Sequence, residues 1–244
     1  MKRASLRWAL VVALLGALGW WTLARPTPYR NSLRARELAT WGLADHLAAA
    51  FPGERALVFS NPFSQRKGTA KEIVAAETAG LRGLKRGFAA KVSLAAVVFP
   101  ELRPNALDHP RSWFIDRETT TPLSYLVAPE AFDAAVAQHP DCRLVVSLIG
   151  LPVGLERIRC WQEPGGPHFA LLWPDLRIIG NAAAVEQALR GGKLAAFVLP
   201  KPGAVSADAP LHGANETEFA RRYVLVTRSN FGQVLQTFPG LLPR

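Results

Sequence analysis

At 244 residues, with 49% apolar side chains, the chain is long enough for a domain with a full hydrophobic core and too apolar to be disordered throughout. Its formal net charge of +10 invites a nucleic-acid reading, but residues 1–36 hold seven basic side chains and no acid, while the remaining 208 hold 22 basic and 19 acidic ones. The excess is therefore local, no basic stripe with interleaved aromatics follows, and DNA and RNA are excluded as partners.

Residues 8–24 form an uncharged apolar run between Arg7 and Arg25. At ~1.5 Å per residue it makes a helix of roughly 25 Å, at the short end of what crosses a hydrocarbon core. The pair Trp20-Trp21 suits a membrane–water interface. The expected partner of residues 8–24 is thus a lipid bilayer, and the expected organisation is an anchor or signal segment at 1–25, a basic linker at 26–36 and one domain at 37–244. Small-x-small positions at Ala17–Gly19 and Thr22–Ala24 leave cleavage open. The basic head (Lys2, Arg3, Arg7) favours a cytoplasmic N-terminus with the domain extracytoplasmic, although Arg25, Arg30, Arg34 and Arg36 follow the run.

Pro26 and Pro28 read as interruptions, with a helix from Ser32 to Ala50 ending at Phe51-Pro52-Gly53. A short strand (Arg55–Ser60), a polar turn (Asn61–Gly68) and a helix (Thr69–Arg86) come next. Lys91–Phe99 reads as a strand, Pro129–His139 as a helix and Arg143–Gly150 as a strand. His168–Trp173 is another strand, which Arg177–Gly180 either continues or pairs with. Ala182–Arg190 is helical, Leu194–Leu199 and Tyr223–Thr227 are strands, and Phe231–Thr237 is a last helix. Arg103–Pro129 and Gly203–Glu218 read as long loops.

Strands that are apolar throughout are buried on both faces, and helices between them make the sheet parallel. The expected fold is α/β, a doubly wound, mostly parallel sheet of five or six strands, preceded by one transmembrane helix. Two helix-into-strand passages, Ala76–Val98 with Gly80, Gly83 and Gly87, and Phe132–Gly150 with His139-Pro140-Asp141, resemble units of type I periplasmic binding proteins. In that family a helix ends in a glycine-rich turn before a strand. The resemblance implies the fold type and no ligand-contact residues, since the domain is short for the family's two lobes.

In such sheets ligands sit outside the carboxyl ends of the strands. The polar turn there offers Asn61, Ser64, Gln65, Arg66 and Lys67 ahead of a helix whose first N–H groups suit an anion, with Thr69 as its cap. Asp175 and Lys201 stand at two further strand ends. These seven are the candidate ligand-binding residues. Catalytic candidates are thin. The five histidines (His46, His109, His139, His168, His212) are dispersed, so neither a metal nor a cofactor is expected. Ser147 lacks a nucleophile turn. Asp108-His109 and Asp116-Arg117-Glu118 share one loop, and Asp175 with Arg177 reads equally as a turn ion pair. Cys142 and Cys160 are open to disulfide pairing or to burial as free thiols.

The leading expectation is a membrane-tethered extracytoplasmic module binding a small molecule or a protein, without chemistry. An envelope hydrolase or transferase using the 103–129 loop and Asp175 is the second. A structural subunit whose interface is the sheet edge or Leu151–Leu155 is the third.

Overall fold

The computed structural model describes residues 27–106 and 115–243; the apolar run 8–24, its cleavage positions and Asp108-His109 lie outside them. The described chain runs α1 (Pro28–Ala50), β1 (Arg55–Phe59), α2 (Lys71–Phe88), β2 (Ser93–Val98), α3 (Leu123–Leu126), α4 (Glu130–Gln138) and β3 (Leu144–Ser147). It continues with α5 (Arg159–Gln162), β4 (His168–Leu172), α6 (Ala182–Arg190), β5 (Leu194–Pro200), α7 (Asn215–Arg222), β6 (Tyr223–Thr227) and α8 (Phe231–Thr237).

The six strands form one sheet in the order β2-β1-β3-β4-β5-β6. The first five are parallel, and β6 returns antiparallel against β5 with Pro200 opposite Tyr223. Because successive strand residues point to opposite faces, each strand feeds two cores. Ala56, Val58, Leu144, Val146, Ala170 and Val198 pack under α1 and α2. Leu57, Phe59, Val145, Phe169, Leu171 and Phe197 pack under α4, α6 and α8, where Phe59 and Phe132 stack with ring centres 4.0 Å apart. Helices thus cover both faces of a mostly parallel sheet.

Helix α1 begins at Pro28, earlier than its apolar spacing indicates. Proline fits the first helical position because its missing N–H has no helical partner there, and Thr27 caps the turn by accepting from Arg30 N at 3.2 Å. The stretch read as a linker is therefore helical from Pro28, with Asn31 and Ala35 buried. Among the described residues no helix is long and apolar enough to cross a membrane.

Gly80, Gly83 and Gly87 do not form a turn. They lie inside α2 on the face against α1, and a Cβ on Gly83 would overlap the Glu37 carbonyl oxygen and Thr40 Oγ1. A Cβ on Gly87 would stand 2.7 Å from Ala44 Cβ and 2.8 Å from Asp45 N. The two helices run side by side in the same direction, Arg36 beside Glu77 and Glu37 beside Arg86.

Three other readings change. Ile178 and its neighbours form a 3-10 turn (Leu176–Ile178) and not a strand. The second long loop carries helix α7, whose Phe219 ring lies on Gly42 of α1. The apolar loop offered as an interface is inside the core, with Leu151 3% and Leu155 7% exposed.

Cys142 and Cys160 are buried free thiols. Burial pushes Cys160 up to about 12, helped by Asp133, and also raises Cys142, helped by Asp141. A thiolate is the reactive species, so neither should react with Ellman's reagent in the native protein at pH 8. Both should titrate once guanidinium unfolds the chain; thiols still missing after unfolding would show a disulfide.

Candidate functional site

The carboxyl ends of the parallel strands line up along one edge, where the chain's internal polar chemistry collects. At the end of β1, Ser60 Oγ donates to Glu77 Oε2 at 2.6 Å, and Asn61 N donates to the same oxygen at 3.3 Å. Arg36 Nη2 donates to Glu77 Oε1 at 2.8 Å and its Nε to the Ala76 carbonyl at 3.0 Å. The guanidinium carbon of Arg36 stands 5.6 Å from the centre of the Trp173 ring, at the end of β4. One arginine of α1 therefore ties α2 and β1 to the tip of β4.

Beside Trp173 opens a cleft of about 550 Å³. Leu176, Leu199, Leu241, Leu242, three prolines and Gly240 supply most of its wall; Glu118, Asp175 and Arg177 supply its charge. Trp173 has φ 47°, the left-handed region, which is uncommon for a bulky side chain. Its indole Nε1 is buried with no hydrogen-bond partner. Strained backbone of this kind clusters at functional sites.

Asp175 begins the 3-10 turn by accepting from Arg177 N, and the two side chains form a fork, Nε to Oδ1 at 2.9 Å and Nη2 to Oδ2 at 2.7 Å. Arg177 Nη1 also meets Asp116 at 3.0 Å and Glu118 at 3.4 Å. Burial pushes the Asp175 carboxyl up, but hydrogen bonds from Arg177 and Thr119 outweigh it and hold the group below its usual range. The Arg177 guanidinium is raised by the same fork, then by Asp116. Tyr125 is raised by burial and by Asp175 and Asp116. With three carboxylates around one guanidinium, the rim is net acidic, which disfavours an anionic ligand.

The seven predicted residues do not converge. Asp175 lies in the main cleft. Asn61 caps a 3-10 turn (Pro62–Gln65) by accepting from Phe63 N at 2.9 Å, and Ser64 Oγ donates to the Asn61 carbonyl. Gln65 Nε2 donates to Ser64 Oγ, so the turn satisfies much of its own polarity. Thr69 is not the cap of α2; Ala70 precedes that helix, and Thr69 Oγ1 donates to the Phe63 carbonyl. Arg66 faces a separate cavity of about 420 Å³ with Pro100, Glu101 and Arg103, and Lys67 is exposed. Lys201 Nζ donates to the Ala220 carbonyl.

Of the catalytic alternatives, the loop carboxylates Asp116 and Glu118 do meet Asp175 around Arg177, whereas Ser147 and the histidines are tied into the fold. Ser147 Oγ donates to the Gly150 carbonyl at 2.5 Å, across a turn that Gly150 makes possible with φ 78°. His168 Nδ1 is 2.5 Å from the Gly192 carbonyl, and His139 ends α4. Among the described residues no three His, Cys, Asp or Glu side chains group as metal ligands. Trp173, Leu199 and the 240–243 segment are site residues the sequence reading missed. The one available signal was a tryptophan at the end of an apolar strand, next to Pro174-Asp175.

No protein-family model and no curated protein matches the chain. Solved structures with a similar layout include the sugar-binding protein of a sugar ABC transporter from Bacillus halodurans, at TM-score 0.46 and 12% identity over 81% of this chain and 64% of that one. A periplasmic solute-binding protein from Actinobacillus succinogenes with bound D-allose has TM-score 0.46 and 9% identity over 81% of this chain and 62% of its own. A carbohydrate transporter from Acidothermus cellulolyticus in complex with myo-inositol has TM-score 0.45 and 11% identity over 83% and 60%. These are proteins of the type I periplasmic-binding-protein kind that the helix-into-strand passages resemble. With TM-scores below 0.5, no ligand or residue role passes from them, and the chain spans less than two thirds of their length.

Proposed function

We propose that this α/β domain is a ligand-binding module, tethered to a membrane by residues 8–24 on the extracytoplasmic side, that takes a small neutral or cationic organic molecule in the cleft beside Trp173. The observation that carries the reading is the cleft itself, about 550 Å³ and mostly apolar, with the Asp175–Arg177 fork held at its rim. Clefts of roughly 300–1,000 Å³, mostly apolar with a few oriented polar groups, are the usual form of small-molecule sites. The apolar wall supplies burial, and the Asp175–Arg177 fork supplies orientation.

The test is a thermal-shift screen of the protein against sugars, amino acids, amines, nucleotides and inorganic anions. A ligand at a hundred times its dissociation constant adds about 2.7 kcal/mol. For a domain of this size that raises the melting temperature by roughly 5–10 °C. The expected result is a shift with one neutral or cationic class that the Leu241→Trp variant, which fills the cleft and is itself folded, no longer shows. A silent screen, or a shift that Leu241→Trp keeps in full, would remove the cleft as the site.

A further inference from the structure

From the placement of helix α1 we infer that the carboxyl edge of the sheet, at the first turns of α1 and α2, rests on the anionic headgroup surface of the membrane. This depends on residues 8–24 being the tether proposed above. Only Arg25, Pro26 and Thr27 separate the end of the apolar run, Ala24, from the first helical residue, Pro28. Three residues reach at most ~10 Å even when fully extended. A tether that short holds whichever face carries Pro28 against the bilayer.

That face is the carboxyl edge. Helix α1 starts there, with Asn31 Nδ2 donating to the Asp208 carbonyl and Arg36 reaching Trp173 at the end of β4 and Glu77, which holds Ser60 and Asn61 at the end of β1, and it finishes at the opposite edge, where Phe51 meets His168 at the start of β4. Helix α2 follows β1 and lies alongside α1 in the same direction, so its first turn stands at the same end.

Two independent properties of this end suit a headgroup layer. The large apolar side chains left exposed among the described residues are Tyr29 at 43%, Val74 at 42% and Val205 at 39%. All three belong to it: Tyr29 and Val74 lie in the first turns of α1 and α2, and Val205 in the loop after β5. Around them Arg30, Arg34, Arg66, Lys67 and Lys71 are exposed against the acids Glu72, Glu101 and Asp208, and the acidic group of Asp116, Glu118 and Asp175 stays around the cleft beside β4. Basic side chains at a juxtamembrane position attract anionic lipids within a Debye length of the surface.

The experiment uses the full chain reconstituted in vesicles of phosphatidylcholine with or without phosphatidylglycerol. An environment-sensitive fluorophore is placed at Gln65→Cys on the carboxyl edge, or at Lys91→Cys on the opposite edge, and lipids spin-labelled at the headgroup act as quenchers. Quenching several-fold stronger at 65 than at 91, deepened by phosphatidylglycerol and lost in the Arg66→Glu/Lys67→Glu/Lys71→Glu variant, is the expected result. Equal quenching at the two positions, in protein that still floats with the vesicles, overturns the inference and leaves the tether standing. Protein that does not float with the vesicles overturns the tether, and the inference with it.

Discussion

Gly83→Ala is expected to destabilise the domain by roughly 2 kcal/mol or more, against the gain of about 1 kcal/mol that alanine ordinarily brings to a helix interior. The added methyl has no room: it would overlap the backbone carbonyl of Glu37 and the Thr40 hydroxyl, which itself donates to the Arg36 and Glu37 carbonyls at 3.1 and 3.0 Å. Backbone cannot swing aside as the end of a flexible side chain can, so α1 must lift off α2. Lifting α1 disturbs Arg36, and with it the Glu77 network and the support of Trp173. Urea unfolding should show a lower midpoint at unchanged slope. Gly232→Ala is the control: it lies in α8 with nothing within 4 Å of the new methyl and should be neutral or slightly stabilising. Equal midpoints for Gly83→Ala and the native chain would refute the close approach of the two helices.

Arg222→Ala is expected to cost roughly 1.5–3 kcal/mol, because it removes one of the two guanidinium partners of the buried Glu218 and the donors to three loop carbonyls. Arg222 is 1% exposed and Glu218 4%, and Arg222 Nε donates to Glu218 Oε2 at 3.1 Å. Its two terminal nitrogens donate to the carbonyls of Ser206, Ala209 and Pro210 at 2.9, 3.0 and 2.9 Å. A lysine carries one donor group and cannot span these partners, so Arg222→Lys should recover only part of the loss. The pH dependence gives an independent check. Hydrogen bonding from Arg221, with further help from Arg222 against burial, holds the Glu218 carboxyl below its ordinary value. A carboxyl depressed in the folded state contributes stability that is present above its unfolded pKa and is lost as pH falls through the folded one. The native chain should therefore weaken on acidification over that window more than Arg222→Ala does, and the gap between them should narrow. A gap that stays constant from pH 7 to pH 3 would count against the buried pair.

Much of the sheet was legible because parallel strands covered on both faces are written as unbroken apolar runs. Val145-Val146, Phe169–Leu172 and Ala196–Leu199 admit little else. Helix α7 was not legible. Its sequence, Asn-Glu-Thr-Glu-Phe-Ala-Arg-Arg, has too few apolar residues to show a helical stripe, and what holds it is the Glu218–Arg222 pair and Phe219 lying on Gly42. The start of α1 was hidden by reading Pro28 as an interruption when proline is also a helix opener. The glycines of α2 were visible, but a turn and a close helix contact use the same residue for different reasons, and only the position of α1 distinguishes them. At the site, Asp175 stood out by its charge at a strand end. Trp173 did not, because its backbone angle and the missing partner of its N–H have no sequence signature. The polar turn 61–67 looked like a ligand loop for the very residues that satisfy one another within it.

The strand order has a consequence for how the protein is made. Residues 28–98 emerge from the ribosome ahead of the other described elements and contain α1, β1, α2 and β2, a unit that can pair β1 with β2 at once. The other side of β1, which ends up against β3, stays open until Leu144 and its neighbours have been synthesised. During that interval the segment Ala56-Leu57-Val58-Phe59, destined to be fully buried, offers unpaired backbone groups on an apolar strand. Such a nascent edge invites pairing between chains. Overproduction is therefore expected to fail by aggregation of incomplete chains sooner than by unfolding of finished ones, and slower translation beyond residue 98 should make it worse.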